Sequence, residues 1–418
     1  MAATAPDTTA EPRTPLGRPF AVHLTGAGLA NLADGIMAAG VPLLAVTLTR
    51  SPVEISMLQV AIWLPWLVLG LLAGVLVDRV DRRHVQLVAM GVRSLLLVAL
   101  TVLAVGGHLS IWLLVGFALC YGVTEVFVDL AASAMVPALV PVERRSAANG
   151  RVLAAQQVGN AFLGAPIGGA LLVVGAGWVV GVPAALCIGF VLLVGLGLRR
   201  SFAVERSAPE SVRADLVDGL RHLWRHPVLR PNLVAGGVMN LANTGYFAVF
   251  VLFVVGPGSA VGLQPEHYPL LATSLPVGAL LGSLLTERLA GRLREVPLMY
   301  VSWAINSAML LVPVLSPTPA AIVAAFFVLG CTNTVGNVVS QTIRQRLVPS
   351  RLLGRVGGAG RTLAYGLMPV GALLGGVVGE TVGLVPVFVG AAVLCLAVVG
   401  WVATQVNQAM VDALETPA

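Results

Sequence analysis

The sequence predicts an all-α integral membrane protein, with twelve transmembrane helices in two pseudo-symmetric six-helix bundles. Three observations predict it. Of 418 residues, 57% are hydrophobic and 11% charged, whereas soluble domains hold about 25% charged residues. Apolar runs of spanning length recur along the whole chain, and the second half repeats landmarks of the first. A mean hydropathy of +0.91 would leave a water-soluble globule covered in adhesive patches. The solvent this composition suits is a bilayer.

The elements follow in order. Residues 1–19 are rich in Ala, Thr and Pro without a long apolar core, which reads as a disordered cytoplasmic tail and not a cleaved signal. A spanning helix needs about 20 apolar residues. That ruler selects 20–48, 55–77, 85–105, 111–138, 148–175 and 178–198, which form an N-terminal bundle over 20–198. It then selects 228–255, 268–289, 297–315, 319–346, 357–380 and 384–405, a C-terminal bundle over 228–406 followed by a tail at 407–418. Twenty-three of the 25 basic residues fall in the N-terminal tail and at the even-to-odd loops; Arg50 lies in an opposite loop and Arg93 inside a span. By the positive-inside tendency both termini and the central loop are expected in the cytoplasm, in a multi-pass plasma-membrane protein. The net charge of +6 is thereby a topology signal and not a nucleic-acid signal.

The linker, 199–227, places Val212, Leu216, Leu220, Leu223 and Trp224 at helical spacing behind Ser211, as expected of an amphipathic helix on the membrane surface. His222 and His226 are four apart. They can share a metal or merely contact headgroups, and the second reading is preferred, so no metal site is assigned. Cys120, Cys187, Cys331 and Cys395 each lie in an apolar run without ligand spacing and read as small buried hydrophobes. Every basic residue is arginine. Without lysine there is no Walker A clamp and no Schiff base, and no HExxH, GxSxG or Ser/His/Asp set is present. An enzyme is not expected, nor any cofactor; energy must come from an ion gradient or a partner.

Leu139-Val140-Pro141 recurs as Leu347-Val348-Pro349, and Gly168-Gly169 as Gly375-Gly376. Two related halves place a substrate site between them near mid-membrane. Between the second and third spans stands Gly74…Asp78-Arg79-Val80-Asp81-Arg82-Arg83. This segment resembles the signature of the major facilitator superfamily, with Asp81 where the family usually has glycine. The resemblance implies a conformational latch of Gly74, Asp78, Arg79, Arg82 and Arg83, in which Asp78 caps a helix end and the arginines hold carboxylates or carbonyls. Asn31…Asp34, Glu125…Asp129…Pro137…Pro141 and Asn149-Gly150-Arg151 resemble the drug:proton antiporter branch that includes enterobactin exporters and macrolide efflux proteins. Gly164, Pro166, Gly168 and Gly169 resemble the antiporter motif with its proline one position late. The helix-four arginine of many drug antiporters is absent.

Carboxylates in hydrocarbon are costly and by default functional. Asp34 and Glu125 fall near mid-membrane, and Tyr121, Glu125, Asp129 and Ser133 form one stripe at spacing four. Asp34, Glu125 and Asp129 are the proton-coupling candidates; the competing reading is a structural ion pair, Arg93 being the available partner. Asn31, Trp63, Gln156, Asn160, Asn240, Asn243, Tyr246, Asn333, Asn337, Gln341 and Tyr365 can line a central cavity or hydrogen-bond between packed helices. The series Gly70/Gly74 and Gly371/Gly375/Gly379 reads as close helix packing. The expected function is proton-coupled efflux of a small lipophilic compound, such as an antibiotic, drug or siderophore, by a monomer working with small-molecule substrate, protons and lipid. Import or uniport of a metabolite, and a receptor or scaffold on a transporter fold, remain the alternatives.

Overall fold

In the computed structural model, residues 16–199, 202, 212–349, 352, 356, 360 and 364–415 are described. The N-terminal half contains α1 (Arg18–Leu48), α2 (Pro52–Arg79), α3 (Arg82–Val105) and α4 (Ile111–Leu139). Its fifth span, α5, runs as Arg145–Gln156, a π-helical Gln157–Gly164 and Ala165–Val174, and α6 is Ala176–Gly197. The linker forms α7 (Val212–Arg225). The C-terminal half contains α8 (Leu229–Val254), α9 (Tyr268–Ala290), α10 (Glu295–Met309, with a further turn Val312–Leu315), α11 (Pro319–Leu347), α12 (Met368–Thr381) and α13 (Leu384–Gln405). A short α14 (Gln408–Glu415) follows.

Eleven helices among the described residues are long and apolar enough to cross a membrane. The twelfth expected span, 357–380, is represented by α12 and overlaps residues outside the description. Helix starts are chemically marked: Ser51, Ser110 and Thr318 accept the N–H groups of Glu54, Leu113 and Ala321. Large apolar side chains such as Leu95, Val105 and Val173 stand outward, more than two-thirds exposed, which suits lipid and not water. This explains one correction. Cys187 and Cys395 are buried as expected, but Cys331 is half-buried and Cys120 exposed; on a lipid-facing helix, exposure costs a thiol nothing.

Glycines set how closely the helices approach, and the repeated pairs do so symmetrically. A methyl on Gly168 would stand 2.7 Å from the Ile36 carbonyl of α1, in the same half, while one on Gly169 would collide with Pro269 of α9 in the other. Gly375 correspondingly meets the Gly245 backbone of α8, its own half, and Gly376 meets Ser56 of α2, across the divide. Gly371 and Gly379 are likewise packed, against Leu241 and Pro52. Gly70 and Gly74 are not: a methyl at either would meet nothing within 4 Å. Their stretch of α2 lies towards the arginine-rich face. Among the described residues, every hydrogen bond crossing between the halves lies at the opposite face. Arg50 donates to the Val255 carbonyl at 2.8 Å, and Glu380 accepts from Ser51 Oγ at 2.7 Å and Val53 N at 3.4 Å.

The π-helical turn is a packing device. Gly159 and Gly164 are five apart, so an α-helix would turn them to different directions. A π-helix has i→i+5 bonding, and here both glycines face α1, at Leu32 and Gly35 respectively.

Candidate functional site

Arg93 of α3 is fully buried, and two helices, α1 and α4, supply its partners. Its Nε donates to Thr124 Oγ1 at 3.0 Å and one Nη to Asp34 of α1 at 3.0 Å; the other Nη is ion-paired with Glu125 of α4. The Tyr121 hydroxyl donates to the same Asp34 carboxylate, and the Tyr121 ring lies 4.1 Å beneath the guanidinium carbon. Burying an arginine is unfavourable unless its charge and donors are met; two acids, a hydroxyl and a π-face meet them. Asp34 and Glu125 retain exposed side-chain surface, 16% and 32%. That surface heads a cavity of about 410 Å³ lined by Asn31, Asp129, Ser133, Asn149, Gln156 and, nearer the arginine-rich face, His23 and Gln86.

The sequence stripes converge here because of helical period. His23 and Asp34 are eleven residues apart on α1 and Gln86 and Arg93 seven apart on α3, near-integral numbers of turns. Asp129 and Ser133 continue the stripe below Glu125 on α4. His23 and Gln86 were not legible as site residues. His23 Nε2 and Gln86 Oε1 are buried without a hydrogen-bond partner among the described residues, the condition an ordered water relieves. Arg93 was legible: a lone arginine inside a span requires an acid.

The other expected lining residues divide. Asn240, Asn243, Asn333 and Asn337 line a second cavity of about 230 Å³ inside the C-terminal half, with Asn232, Trp303 and Arg344. Asn31 and Gln156 belong to the first cavity, which lies in the N-terminal half. Asn160 is not among its lining; its carbonyl packs on Gly35 across the π-turn. Tyr246 is completely buried, stacked on Phe250 and tilted against Phe388, because its ring area favours the core. Gln341 is exposed on α11 outside the pocket. Trp63 and Tyr365 pair across the two halves, ring centroids 5.6 Å apart.

In the expected latch, Arg82 donates to the Ala134 carbonyl of α4 at 2.9 Å and Arg83 to the Gly195 carbonyl of α6 at 2.7 Å, near those helices' C-terminal ends. Arg79 is exposed, and the Asp78 side chain lies outside the description. The residue that departs from the family pattern, Asp81, caps α3 by accepting from Arg83 N and His84 N, and also accepts from Phe202 N at 3.0 Å. In the linker, His226 Nδ1 accepts the N–H groups of Val228 and Leu229, each at 3.2 Å, at the start of α8. Among the described residues no group of three or more metal-ligating side chains occurs.

The family model of the Major Facilitator Superfamily matches residues 24–368. The chain belongs to that superfamily. It is 27% identical over 379 residues to the multidrug efflux pump Tap of Mycolicibacterium fortuitum, covering 87% of this chain and 89% of the relative. It is 28% identical over 334 residues to the enterobactin exporter EntS of Salmonella typhimurium, covering 78% and 77%. The fold matches the nucleoside transporter NupG at a TM-score of 0.68 and 12% identity, over 96% of this chain and 100% of that one. It also matches a bacterial homologue of the iron transporter ferroportin at 0.70 and 13%, over 93% and 99%. The superfamily member is a multi-pass membrane transporter, as the motifs implied.

Proposed function

We propose that the chain is a proton-driven exporter of a small lipophilic molecule, working by alternating access. The observation that carries this reading is the Arg93 cluster: two carboxylates share one buried guanidinium at the head of a cavity. With both acids ionised the cluster holds one uncompensated negative charge in a medium of low dielectric, which is costly; one proton removes it. Positive-inside placement makes the arginine-rich face cytoplasmic, so the arrangement described is inward-facing. A proton taken up from the exterior in the opposite state leaves through this cavity while substrate enters. Tyr121 and Arg93 hold the acids in place during the exchange, and the open space at Gly74 closes when the halves rock together. Export is favoured over import by the multidrug pump and enterobactin exporter among the relatives.

Purified protein in liposomes with an imposed pH gradient tests the reading. Substrate-dependent proton release is recorded against a panel of lipophilic antibiotics and iron chelators. Flux with at least one compound, lost in Asp34→Asn and in Glu125→Gln, is the expected result. Flux that persists in the double variant overturns coupling at this cluster, and absence of proton movement with every compound overturns the antiport reading.

A further inference from the structure

We propose that the exterior face is locked by two reciprocal clasps, each a charge of one half seated on a helix end of the other. Arg50 and Glu380 thereby set the balance between inward-facing and outward-facing states. The inference rests on the alternating-access reading and not on proton coupling.

Arg50 stands in the turn between α1 and α2. One Nη donates at 2.8 Å to the carbonyl of Val255, the C-terminal cap of α8 in the other half. Carbonyls at that end have no partner within the helix, and the helix dipole makes the end negative. The loop beyond it is shaped to receive the guanidinium. Leu263 N donates to the Val254 carbonyl at 2.9 Å and Gly256 N to the Leu263 carbonyl at 3.0 Å, which closes the neck of the loop. Gly256 has a φ of 90°, a conformation that favours glycine, and a methyl there would collide with the Arg50 guanidinium.

Glu380 makes the complementary contact. Close approach of Gly376 to Ser56 and of Gly379 to Pro52 brings α12 against the start of α2. There the Glu380 carboxylate accepts from Ser51 Oγ at 2.7 Å and from Val53 N at 3.4 Å. The second is a first-turn N–H that the helix leaves unbonded, at the positive end of the α2 dipole. Glu54, the acid of that turn itself, is engaged by the Thr49 hydroxyl.

Opposite charges of two halves at one face would ordinarily form an ion pair. Among the described residues neither Arg50 nor Glu380 takes a partner of opposite charge; their partners are backbone groups and one hydroxyl. Two consequences follow from that chemistry. The sign of each charge is fixed by the helix end it meets, so the two cannot be exchanged. Each clasp is also weak and solvent-exposed, so it biases the closed exterior without trapping it.

Double electron–electron resonance on the full-length protein in detergent tests this without cargo or gradient, after Cys120, an exposed native thiol, is replaced by serine. Labels at His108 and Leu315 read the exterior, and labels at His84 and Arg292 the cytoplasmic face; all four positions are exposed and away from the clasps. Arg50→Gln and Glu380→Gln are each expected to raise the long-distance exterior population about two- to fivefold, and the double variant by roughly the product. The charge swap Arg50→Glu/Glu380→Arg is expected to raise it further still. Each rise should come with an equal short-distance population at the cytoplasmic face, which a misfolded variant cannot produce. Wild-type populations in both single variants would overturn the proposal. So would a swap that restores the wild-type distances, because only an ion pair survives exchange. Exterior lengthening without cytoplasmic shortening would overturn the alternating-access reading along with it. Loss of proton flux at Asp34 and Glu125 leaves the result standing, and the reverse also holds.

Discussion

The two halves share a scaffold and differ in chemistry. Gly168-Gly169 and Gly375-Gly376 make equivalent contacts, the first glycine of each pair on the opening helix of its own half and the second on the second helix of the other. Yet the N-terminal half buries a guanidinium between two acids, while the C-terminal half has amides and no acid in the interior of its spans. Packing constraints act on backbones through small residues and are hard to relax. Polar residues facing a cavity are released from that constraint, so duplicated halves can diverge there without losing the fold.

The comparison breaks most visibly at Arg93. Arg93→Leu strands two carboxylates and should cost about 3–5 kcal/mol, read as lost yield and a lowered melting temperature. The triple variant that adds Asp34→Asn and Glu125→Gln should recover most of it, because neutral partners need no counter-charge. In the other half Asn337→Leu should cost within about 1 kcal/mol, since only a hydrogen bond between neutral groups is lost.

The glycine pairs sharpen the same contrast. Gly168→Val and Gly375→Val overpack contacts within a half and should destabilise by about 1–3 kcal/mol. Gly169→Val and Gly376→Val wedge the contact between halves instead. They should leave melting less affected and lengthen the distance between spin labels at Leu48 and Val382, measured by double electron–electron resonance. Glu380→Gln removes a carboxylate from the N-terminal end of α2, an interaction of about 0.3–1 kcal/mol. It should lengthen the same distance in a smaller fraction of molecules.

The smallest effect belongs to His226. Burial, and then the neighbouring His222, hold its pKa below the usual histidine value, and its neutral Nδ1 is what caps α8. The folded state therefore resists the proton that the unfolded chain takes up as pH falls through about 6.5. Stability should decline on acidification through that range, and His226→Asn, a cap that does not titrate, should lessen the decline in melting temperature.

The fold was legible because length and apolarity alone define a spanning helix, and because arginine placement and the Leu-Val-Pro repeat divide the chain. Asp34 and Glu125 were legible because an acid in hydrocarbon demands a reason. Their pairing with Arg93 was legible only as the competing reading, since whether the three meet depends on how α1, α3 and α4 come together. Stripes at spacing three or four cannot tell a cavity from a core, which is why Tyr246 joined the aromatic cluster while Asn243, three residues before it, lines a pocket. The π-turn was invisible because Gly159 and Gly164 share a face only after the helix has widened. Asp81 looked like a departure from the family signature, yet an aspartate before a helix is also an ordinary N-cap.

The central claim is that the proton resides on the Asp34–Glu125 pair. Infrared difference spectroscopy between acidic and neutral pH reads it directly in reconstituted protein. A protonated-carboxyl band present in wild type and missing from the Asp34→Asn/Glu125→Gln variant is the predicted result. An unchanged band in that folded variant would place the proton elsewhere and contradict the account.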